Sequence, residues 1–478
     1  MAGVWGIRRR LASAPLAAAV LLAGCLALAA LTLLAPSSPS YDPFAWIVWG
    51  RELMPGAGGE PFGLAGGPSW KPLPVLFTTP FALAGDAAPA LWLLVARAGL
   101  LLALAGAFAL ARRLGGIVAG AVAAVALLLL ADLVSLAWRG GSEPLLLAAL
   151  LWAVERQLAG ARRTAVALAV AACLIRPELT AFLALYAGWR WRDASSRERL
   201  MLGAGLTLVV LLWIGVPALA GDPLAASTTA RNPSTRTTAA DALRGDLGLA
   251  LALVWGLACV GVALRPRDRA VRTLALGGVA WLTLLAAMAT VGYASPARYA
   301  LPAAACACVL TGVGVAALLA QRQRALVVVA LVVCAAFAAQ RLTTLEDQIR
   351  EGTAVARSNE QLRAALDAAG GPAAVQRCAL HGWVAVNHTA QSALAWELKL
   401  GLDRVARTMS RPGLLVHAPR SAAAGAPPTV TLKPPLATRT VARAGAWSIL
   451  AVRAPGAPAA PVCGTQKASG LARRIPNI

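Results

Sequence analysis

Long apolar runs with few charged residues divide this sequence, and they constrain the fold more than any other feature. Runs of about 17–25 apolar residues are long enough to cross a bilayer as helices. The hydrophobic fraction of 59% exceeds the roughly one half that is typical of soluble domains. These features predict a polytopic membrane protein with spans near 15–35, 88–111, 115–131, 144–158, 199–220, 247–264, 271–292, 298–320 and 325–341.

Two shorter apolar runs, 164–175 and 178–189, flank the tripeptide "RPE". Neither is long enough to cross the bilayer fully, and Pro177 disfavours a continuous helix. We therefore predict a pair of short helices that enters the membrane and returns, which brings the count to about eleven spans. Residues 72–85 fit a re-entrant or tilted segment.

The net charge of +23 arises largely from arginines that lie between the apolar runs. This pattern fits cytoplasmic loops, so we expect no nucleic-acid partner. With Arg8–Arg10 inside, every dense arginine cluster between spans falls on one side, as the positive-inside rule requires. The first run continues beyond Cys25 to Ala35, so we expect it to remain as a membrane anchor. The predicted location is the cell membrane, with a cytoplasmic N-terminus.

The chain is predicted to comprise a transmembrane domain, 1–341, and an extracytoplasmic domain, 342–478. The second begins with a helical pattern and continues with short β-like runs, "GWVAV", "GLLVHA", "TVTL" and "WSILAV". The predicted fold class is an all-α polytopic membrane protein with a small C-terminal α+β domain. An oxidising location would permit a disulfide between Cys378 and Cys463.

Two acids lie at predicted outer ends of spans, where an ionised group is costly unless it is paired or functional. Asp42 follows the first span, and Glu143 directly precedes Pro144 at the start of another. Asp42 fits either a solvated cap or a catalytic base held at the bilayer surface. Glu143 fits either an N-terminal helix cap, favoured by the helix dipole, or a substrate ligand.

Basic residues occur at the same predicted face. Lys71 is the only lysine before Lys399. Arg176 and Glu178 flank the proline between the short apolar runs, which fits either an internal ion pair or a binding site. Arg298 begins a helix, where the helix dipole disfavours a cation, and an anionic partner is therefore expected.

This combination of acids and cations suits sugar transfer from a lipid-linked phosphate. Arginine and lysine bind phosphate, and a carboxylate can deprotonate an acceptor hydroxyl as it attacks the anomeric carbon. A divalent metal held by carboxylates could help the phosphate to leave, although the spacing alone demonstrates no metal site.

The order of these features resembles the GT-C superfamily of membrane glycosyltransferases, which use polyprenyl-phosphate sugars. In that superfamily an acidic catalytic residue follows the first helix, and Asp42 in "YDPFAWIVWGREL" matches that place. The same stretch resembles an amphipathic interfacial helix, with Trp46 and Trp49 at the level of the lipid headgroups. Many relatives have two adjacent acids at this exit, where this chain has one.

Further motifs resemble the protein-mannosyltransferase-like and aminoarabinose-transferase-like branches of the superfamily. "GGPSWKPLPVLF" resembles their "KPPL" element, in which Lys71 and Pro72 match and Leu73 replaces the second proline. "WRGGSEPLLLAALLW" resembles their short second outer loop, with Glu143 in the place of its acid.

Two more motifs extend the resemblance to about residue 310. "LIRPE" resembles the short-helix break of these branches, with Arg176 where a lysine is frequent. "PARYALP" resembles their "RY-x-x-P" helix start and carries Arg298 and Tyr299. The implied roles are Asp42 as general base; Lys71, Arg176 and Arg298 as donor-phosphate ligands; and Glu143, Glu178 and Tyr299 as groups that orient the substrate or a metal.

The leading interpretation is a glycosyltransferase that moves a sugar from a polyprenyl-phosphate donor to an envelope glycan, glycolipid or protein acceptor outside the membrane. The loop 221–246 would be a mobile lid or acceptor contact. Two alternatives remain open: a transporter or flippase of a lipid-linked or anionic substrate, and a non-catalytic assembly protein. The lack of an internal repeat and the gathering of charges at one face favour the enzyme.

Overall fold

The computed structural model forms two compact units, Met1–Arg357 and Ser358–Ile478, which are described separately. Cys463 lies outside the described residues, and the predicted Cys378–Cys463 disulfide lies outside them as well. The structure describes residues 2–56, 62–231, 238–250, 252–321, 324–381, 383–409, 412–417, 431–432 and 437–453.

The described chain is mostly helical. In chain order the helices are α1 (Ala2–Thr32), α2 (Tyr41–Leu53), α3 (Pro72–Phe81), α4 (Ala88–Leu128), α5 (Leu133–Trp138), α6 (Glu143–Leu158), α7 (Arg162–Cys173), α8 (Leu179–Arg190), α9 (Ser196–Val210), α10 (Val216–Leu219), α11 (Ala225–Ala230), α12 (Ala239–Gly248), α13 (Ala252–Leu264), α14 (Arg269–Thr290), α15 (Leu301–Ala320), α16 (Arg324–Ala368), α17 (Pro372–His381) and α18 (Gln391–Glu397).

Length and composition qualify some of these helices as membrane spans. Within the described residues, four helical stretches are long and apolar enough, and a bent pair formed by α12 and α13 would make a fifth. The predicted count of about eleven spans is therefore not confirmed. The four stretches are Pro72–Leu128, Ser196–Leu219, Arg269–Thr290 and Ala297–Ala320.

Helix α4 reverses direction at Gly116, whose backbone has φ 85° and ψ −175°. A Cβ atom at Gly120 would lie 2.8 Å from the carbonyl oxygen of Phe108. Twelve residues of straight helix would separate these positions by about 18 Å. The two halves of α4 therefore pack against each other, which agrees with the prediction of two apolar segments joined by a short turn.

Helix α2 is buried along most of its length, and its tryptophans contact protein. Trp46 packs edge-on against Trp92 of α4 with ring centroids 5.6 Å apart. The indole N–H of Trp49 donates to the carbonyl oxygen of Gly63 at 2.9 Å, and its ring lies 5.6 Å from that of Trp70. The interpretation of Trp46 and Trp49 as headgroup anchors is therefore wrong, because the following loop and α4 enclose both side chains.

The predicted pair of short helices around "RPE" is confirmed as α7 and α8. Each has twelve residues, about 18 Å of helix, which is shorter than the roughly 30 Å hydrocarbon core. The amide of Leu73 at the start of α3 donates to the carbonyl of Leu174 at 3.0 Å. This bond fixes the break between α7 and α8 beside the segment that carries Lys71.

The second unit contains the predicted small sheet. Its five strands lie in the order β2-β1-β4-β7-β6, with β1 parallel to β2 and β4, and with β7 antiparallel to β4 and β6. A separate pair joins β3 and β5 in parallel. The strands are β1 (Trp383–Val386), β2 (Val405–Ala406), β3 (Thr408–Met409), β4 (Gly413–His417), β5 (Thr431–Leu432), β6 (Ala437–Ala444) and β7 (Trp447–Arg453).

Candidate active site

Asp42 lies in the first turn of α2, where the helix dipole favours a carboxylate. Ser40, two residues before Asp42, donates from its amide (3.0 Å) and its hydroxyl (3.3 Å) to the carbonyl oxygen of Arg139. The start of α2 is thereby tied to the end of α5. The Asp42 side chain is 28% exposed, so it remains reachable from outside the protein.

Lys71 directly precedes α3, whose first residue is Pro72, a favoured residue at that position. Its buried ammonium donates to the Ser142 hydroxyl at 2.9 Å and lies 3.8 Å from Oε1 of Glu143. The Trp46 ring lies beneath it, with the ring centroid 5.1 Å from Nζ. These neighbours provide Lys71 with hydrogen bonding, an opposite charge and a cation–π contact.

Glu143 begins α6 and is buried, with a side chain only 4% exposed. The loop before it needs glycine twice. Gly140 has a φ of +79°, and a Cβ atom at Gly141 would lie 2.9 Å from Oε2 of Glu143. The two glycines therefore bring the carboxylate close to the backbone of its own loop.

The break between α7 and α8 supplies Arg176 and Glu178. One terminal nitrogen of Arg176 lies 3.9 Å from Oε1 of Glu143, and the other lies 3.7 Å from Oε1 of Glu178. The guanidinium carbon is 3.3 Å from the ring centroid of Tyr299. Tyr299 therefore acts as a stacking platform that orients the plane of Arg176.

Arg298 lies in a 3-10 turn, Ala297–Ala300, ahead of α15. Its NH2 donates to Oδ2 of Asp42 at 3.4 Å, and its Nε lies 3.7 Å from Oε1 of Glu143. One cation thus connects the two acids that the sequence singled out. The prediction that Arg298 has an anionic partner is confirmed.

All seven residues of the predicted site therefore converge, although they come from five separate segments of the first unit. Glu143 is the centre, because Lys71, Arg176 and Arg298 all approach the same oxygen, Oε1. Burial alone would raise the pKa of the Glu143 carboxyl, but the three cations lower it to about 2. Burial lowers the pKa of the Lys71 ammonium, while Glu143 opposes this effect.

Several polar atoms of the cluster make no hydrogen bond within the described protein. They include a terminal nitrogen of Arg176, Nε of Arg298 and Oε2 of Glu178, all of them buried. Buried polar groups are nearly always hydrogen-bonded, to protein, water or ligand. The cluster therefore has hydrogen-bonding capacity that an anionic ligand could use.

A cavity of about 200 Å³ opens on this cluster. It is smaller than the roughly 300–1,000 Å³ of pockets that enclose a whole small molecule. Lys71 and Arg176 do not line it; they lie behind Glu143. The lining residues are Ser40, Tyr41, Asp42, Pro43, Trp46, Leu136, Arg139, Gly141, Glu143 and Arg298.

The acids of the site do not fit a divalent metal ion. Within the described residues, no three His, Cys, Asp or Glu side chains are grouped closely enough to hold one. The Oε1 atom of Glu143 already faces three cations, which would repel a metal at that oxygen. The described residues of the site therefore offer no ligand set for a divalent metal.

Sequence reasoning assigned no role to two residues that the structure brings to the site, Arg139 and Ser142. Ser142 accepts the hydrogen bond of Lys71, and Arg139 lines the cavity. Both belong to "RGGSE", and the paired glycines were the available signal, since glycine in such a loop indicates a close backbone approach.

Comparisons with known proteins agree with this fold. No protein-family model and no curated protein matches the sequence. The chain is similar to the crystal structure of ArnT from Cupriavidus metallidurans in the apo state, with 17% identity, a TM-score of 0.53, and coverage of 92% of this chain and 98% of that one. It is also similar to ArnT from the same organism bound to undecaprenyl phosphate, with 15% identity, a TM-score of 0.54, and coverage of 94% and 99%.

A third structure, an Archaeoglobus fulgidus oligosaccharyltransferase tethered to an acceptor peptide, aligns at 14% identity with a TM-score of 0.42, over 69% of this chain and 55% of that one. The ArnT matches show that this chain shares the fold of those two structures, in agreement with the motif resemblance.

Proposed function

We propose that this protein is a glycosyltransferase that transfers a sugar from a polyprenyl-phosphate donor to an acceptor of the cell envelope. The observation that carries the proposal is the convergence of Asp42, Glu143 and three cations beside one cavity. The likeness in fold to ArnT, which has been crystallised with undecaprenyl phosphate, supports a polyprenyl phosphate as ligand.

Asp42 is the proposed general base. It is the more exposed of the two acids, at 28% against 4% for Glu143, and it lines the cavity. Its carboxylate accepts the proton of the acceptor hydroxyl while the hydroxyl oxygen attacks the anomeric carbon of the donor. The bond from that carbon to the phosphate oxygen breaks, and the polyprenyl phosphate leaves with the electron pair.

Arg298 is the proposed direct ligand of the donor phosphate, because it lines the cavity and has a buried N–H without a hydrogen bond. When Arg298 turns to the phosphate it releases Asp42, which is then free to act as base. Lys71 and Arg176 add positive charge from behind Glu143, in a buried region where such charge is weakly screened.

Glu143 and Tyr299 have positioning roles on this proposal. Glu143 holds the three cations together, and Tyr299 fixes the plane of Arg176. Glu178 neutralises the other terminal nitrogen of Arg176 at 3.7 Å. The acceptor approaches from the open side of the cavity.

The proposed orientation puts the N-terminus in the cytoplasm and both the site and the domain 342–478 outside. The support for it is the distribution of arginine clusters along the sequence. The loop 221–246 is the proposed acceptor contact; residues 232–237 of it lie outside the described residues.

The test is Asp42→Asn in membrane vesicles supplied with a polyprenyl-phosphate sugar that carries a labelled sugar. Loss of a general base lowers transfer by about 10²- to 10⁴-fold. Asp86→Asn is a matched control, because Asp86 is exposed on the segment after α3 and should retain full transfer.

Equal transfer by Asp42→Asn and the wild type would refute the role of Asp42 as base. A wild-type protein that moves the labelled lipid across the bilayer without transferring its sugar would instead support the transporter interpretation.

A further inference from the structure

Arg139 is a second arginine in the wall of the cavity, which it lines together with Asp42 and Arg298. Its NH1 donates to Oε1 of Glu351 at 3.2 Å, and the two side chains are 26% and 30% exposed. Within the described residues, Arg139 and Arg298 are the two cations that line this cavity. Lys71 and Arg176, by contrast, do not line it.

The backbone of Arg139 is fixed next to the proposed base. Its carbonyl accepts both hydrogen bonds from Ser40, two residues before Asp42. Arg97 of α4 stabilises the preceding turn, since its guanidinium donates to the carbonyl of Trp138 at 3.4 Å and stacks on that indole, with the ring centroid 4.1 Å away. The Arg139 side chain therefore extends from a hydrogen-bonded backbone position beside the start of α2, which carries Asp42.

Glu351 is also held in place, by the packing of α16 on α5. The amide of Ser135 donates to Oε1 of Gln348 at 3.3 Å, one turn before Glu351. Gly352 leaves space for the ring of Trp138, against which a Cβ atom would clash. Contacts before and after Glu351 set the register of α16, so the pairing of Glu351 with Arg139 is a built feature of the fold.

We infer that Arg139 is a further ligand of the donor phosphate, and that Glu351 occupies its guanidinium until the donor binds. This inference rests on the proposed function. Carboxylate and phosphodiester groups are alternative partners for a guanidinium, and each presents two anionic oxygens to it. Because partly exposed ion pairs contribute little to stability, the exchange is easy, and the released carboxylate of Glu351 can be hydrated.

The test measures binding of undecaprenyl phosphate to the purified full-length protein in lipid nanodiscs. Removing the competing charge with Glu351→Gln should tighten binding by about two- to five-fold. Arg139→Ala should weaken binding by about ten-fold or more, because it removes a charge-assisted hydrogen bond. In the Arg139→Ala background, Glu351→Gln should then have no effect on binding.

Glu346→Gln is the matched control, because Glu346 lies on the same helix, is exposed, and pairs only locally with Arg350. It should bind undecaprenyl phosphate like the wild type. Thermal unfolding of every variant is measured alongside, so that a loss of folded protein is not mistaken for a loss of affinity.

The outcomes separate the inference from the proposed function. Wild-type binding that Glu351→Gln leaves unchanged or weakens would make the pair a structural contact, and the inference would fail alone. A wild type that does not bind undecaprenyl phosphate would overturn both. Competition by inorganic phosphate with the same dependence on Arg139 and Glu351 would assign the pair to free phosphate, against the lipid-carrier assignment.

Discussion

Glu143→Gln tests the central contact of the site. The substitution keeps the size of the side chain but leaves Lys71, Arg176 and Arg298 crowded around a neutral amide. The cations lower the pKa of Glu143 from 4.5 to about 2. At about 1.4 kcal/mol per pKa unit, this corresponds to about 3 kcal/mol, in the range for breaking a buried ion pair. We expect the folded protein to lose about that much stability.

The assay is thermal unfolding of the purified protein in detergent, at one scan rate for all variants because unfolding of large membrane proteins is seldom reversible. At about 2 °C per kcal/mol, the apparent midpoint should fall by about 6 °C. Glu346→Gln, an equal change at an exposed position, should leave the midpoint unchanged.

The pH dependence of this difference is a sharper check. The pKa of Glu143 in the folded protein lies below its ordinary value, so its stabilising contribution is fully present above about pH 4.5 and is lost as the pH falls towards 2. The midpoints of the wild type and Glu143→Gln should therefore differ by a constant amount from pH 6 to 8 and converge below about pH 4.5. A gap that is absent at pH 7, or that persists unchanged at pH 3, would refute the charge-clustering role of Glu143.

Two further predictions concern the donor site and the orientation of the chain. Lys71→Ala should raise the KM for the lipid-linked donor by about ten-fold. It should lower the unfolding midpoint less than Glu143→Gln does, because Glu143 keeps two arginine partners. Loss of folded protein would instead make Lys71 a structural residue. Reporter fusions at Arg113 and at the C-terminus should fall on opposite sides of the membrane, and finding both inside would overturn the proposed orientation.

The sequence predicted those parts of the site in which a charge interrupts an apolar run. Asp42, Glu143, Arg176 and Arg298 each lie at a helix end or break, where an ionised group is costly unless it is paired or functional. Their convergence could only be expected from the motif resemblance, since Arg298 and Asp42 are separated by 256 positions. The pairing of Arg139 with Glu351 had no sequence signal, because neither residue interrupts an apolar run.

The periodicity of the sequence could not show whether Trp46 and Trp49 face the lipid or the protein interior. In a membrane protein, tryptophans beside a span favour the lipid interface, but the same residues also fill protein interiors. Trp46 and Trp49 are buried because α4 and the loop before α3 supply Trp92 and Trp70 as ring partners. A pattern within residues 41–53 contains no information about those distant rings.

On the proposed mechanism, the charge balance of the cluster makes the base available only when the donor is bound. The acids Asp42, Glu143 and Glu178 are matched by Lys71, Arg176 and Arg298, so an arginine of this set that turns to an incoming phosphate leaves a carboxylate behind. Glu143 is buried and has three cationic neighbours, whereas Asp42 is partly exposed and has one contact with Arg298, at 3.4 Å. Of these three acids, Asp42 is thus the one that yields most easily. The phosphate that displaces Asp42 carries the donor sugar. Asp42 then deprotonates the acceptor that attacks this sugar.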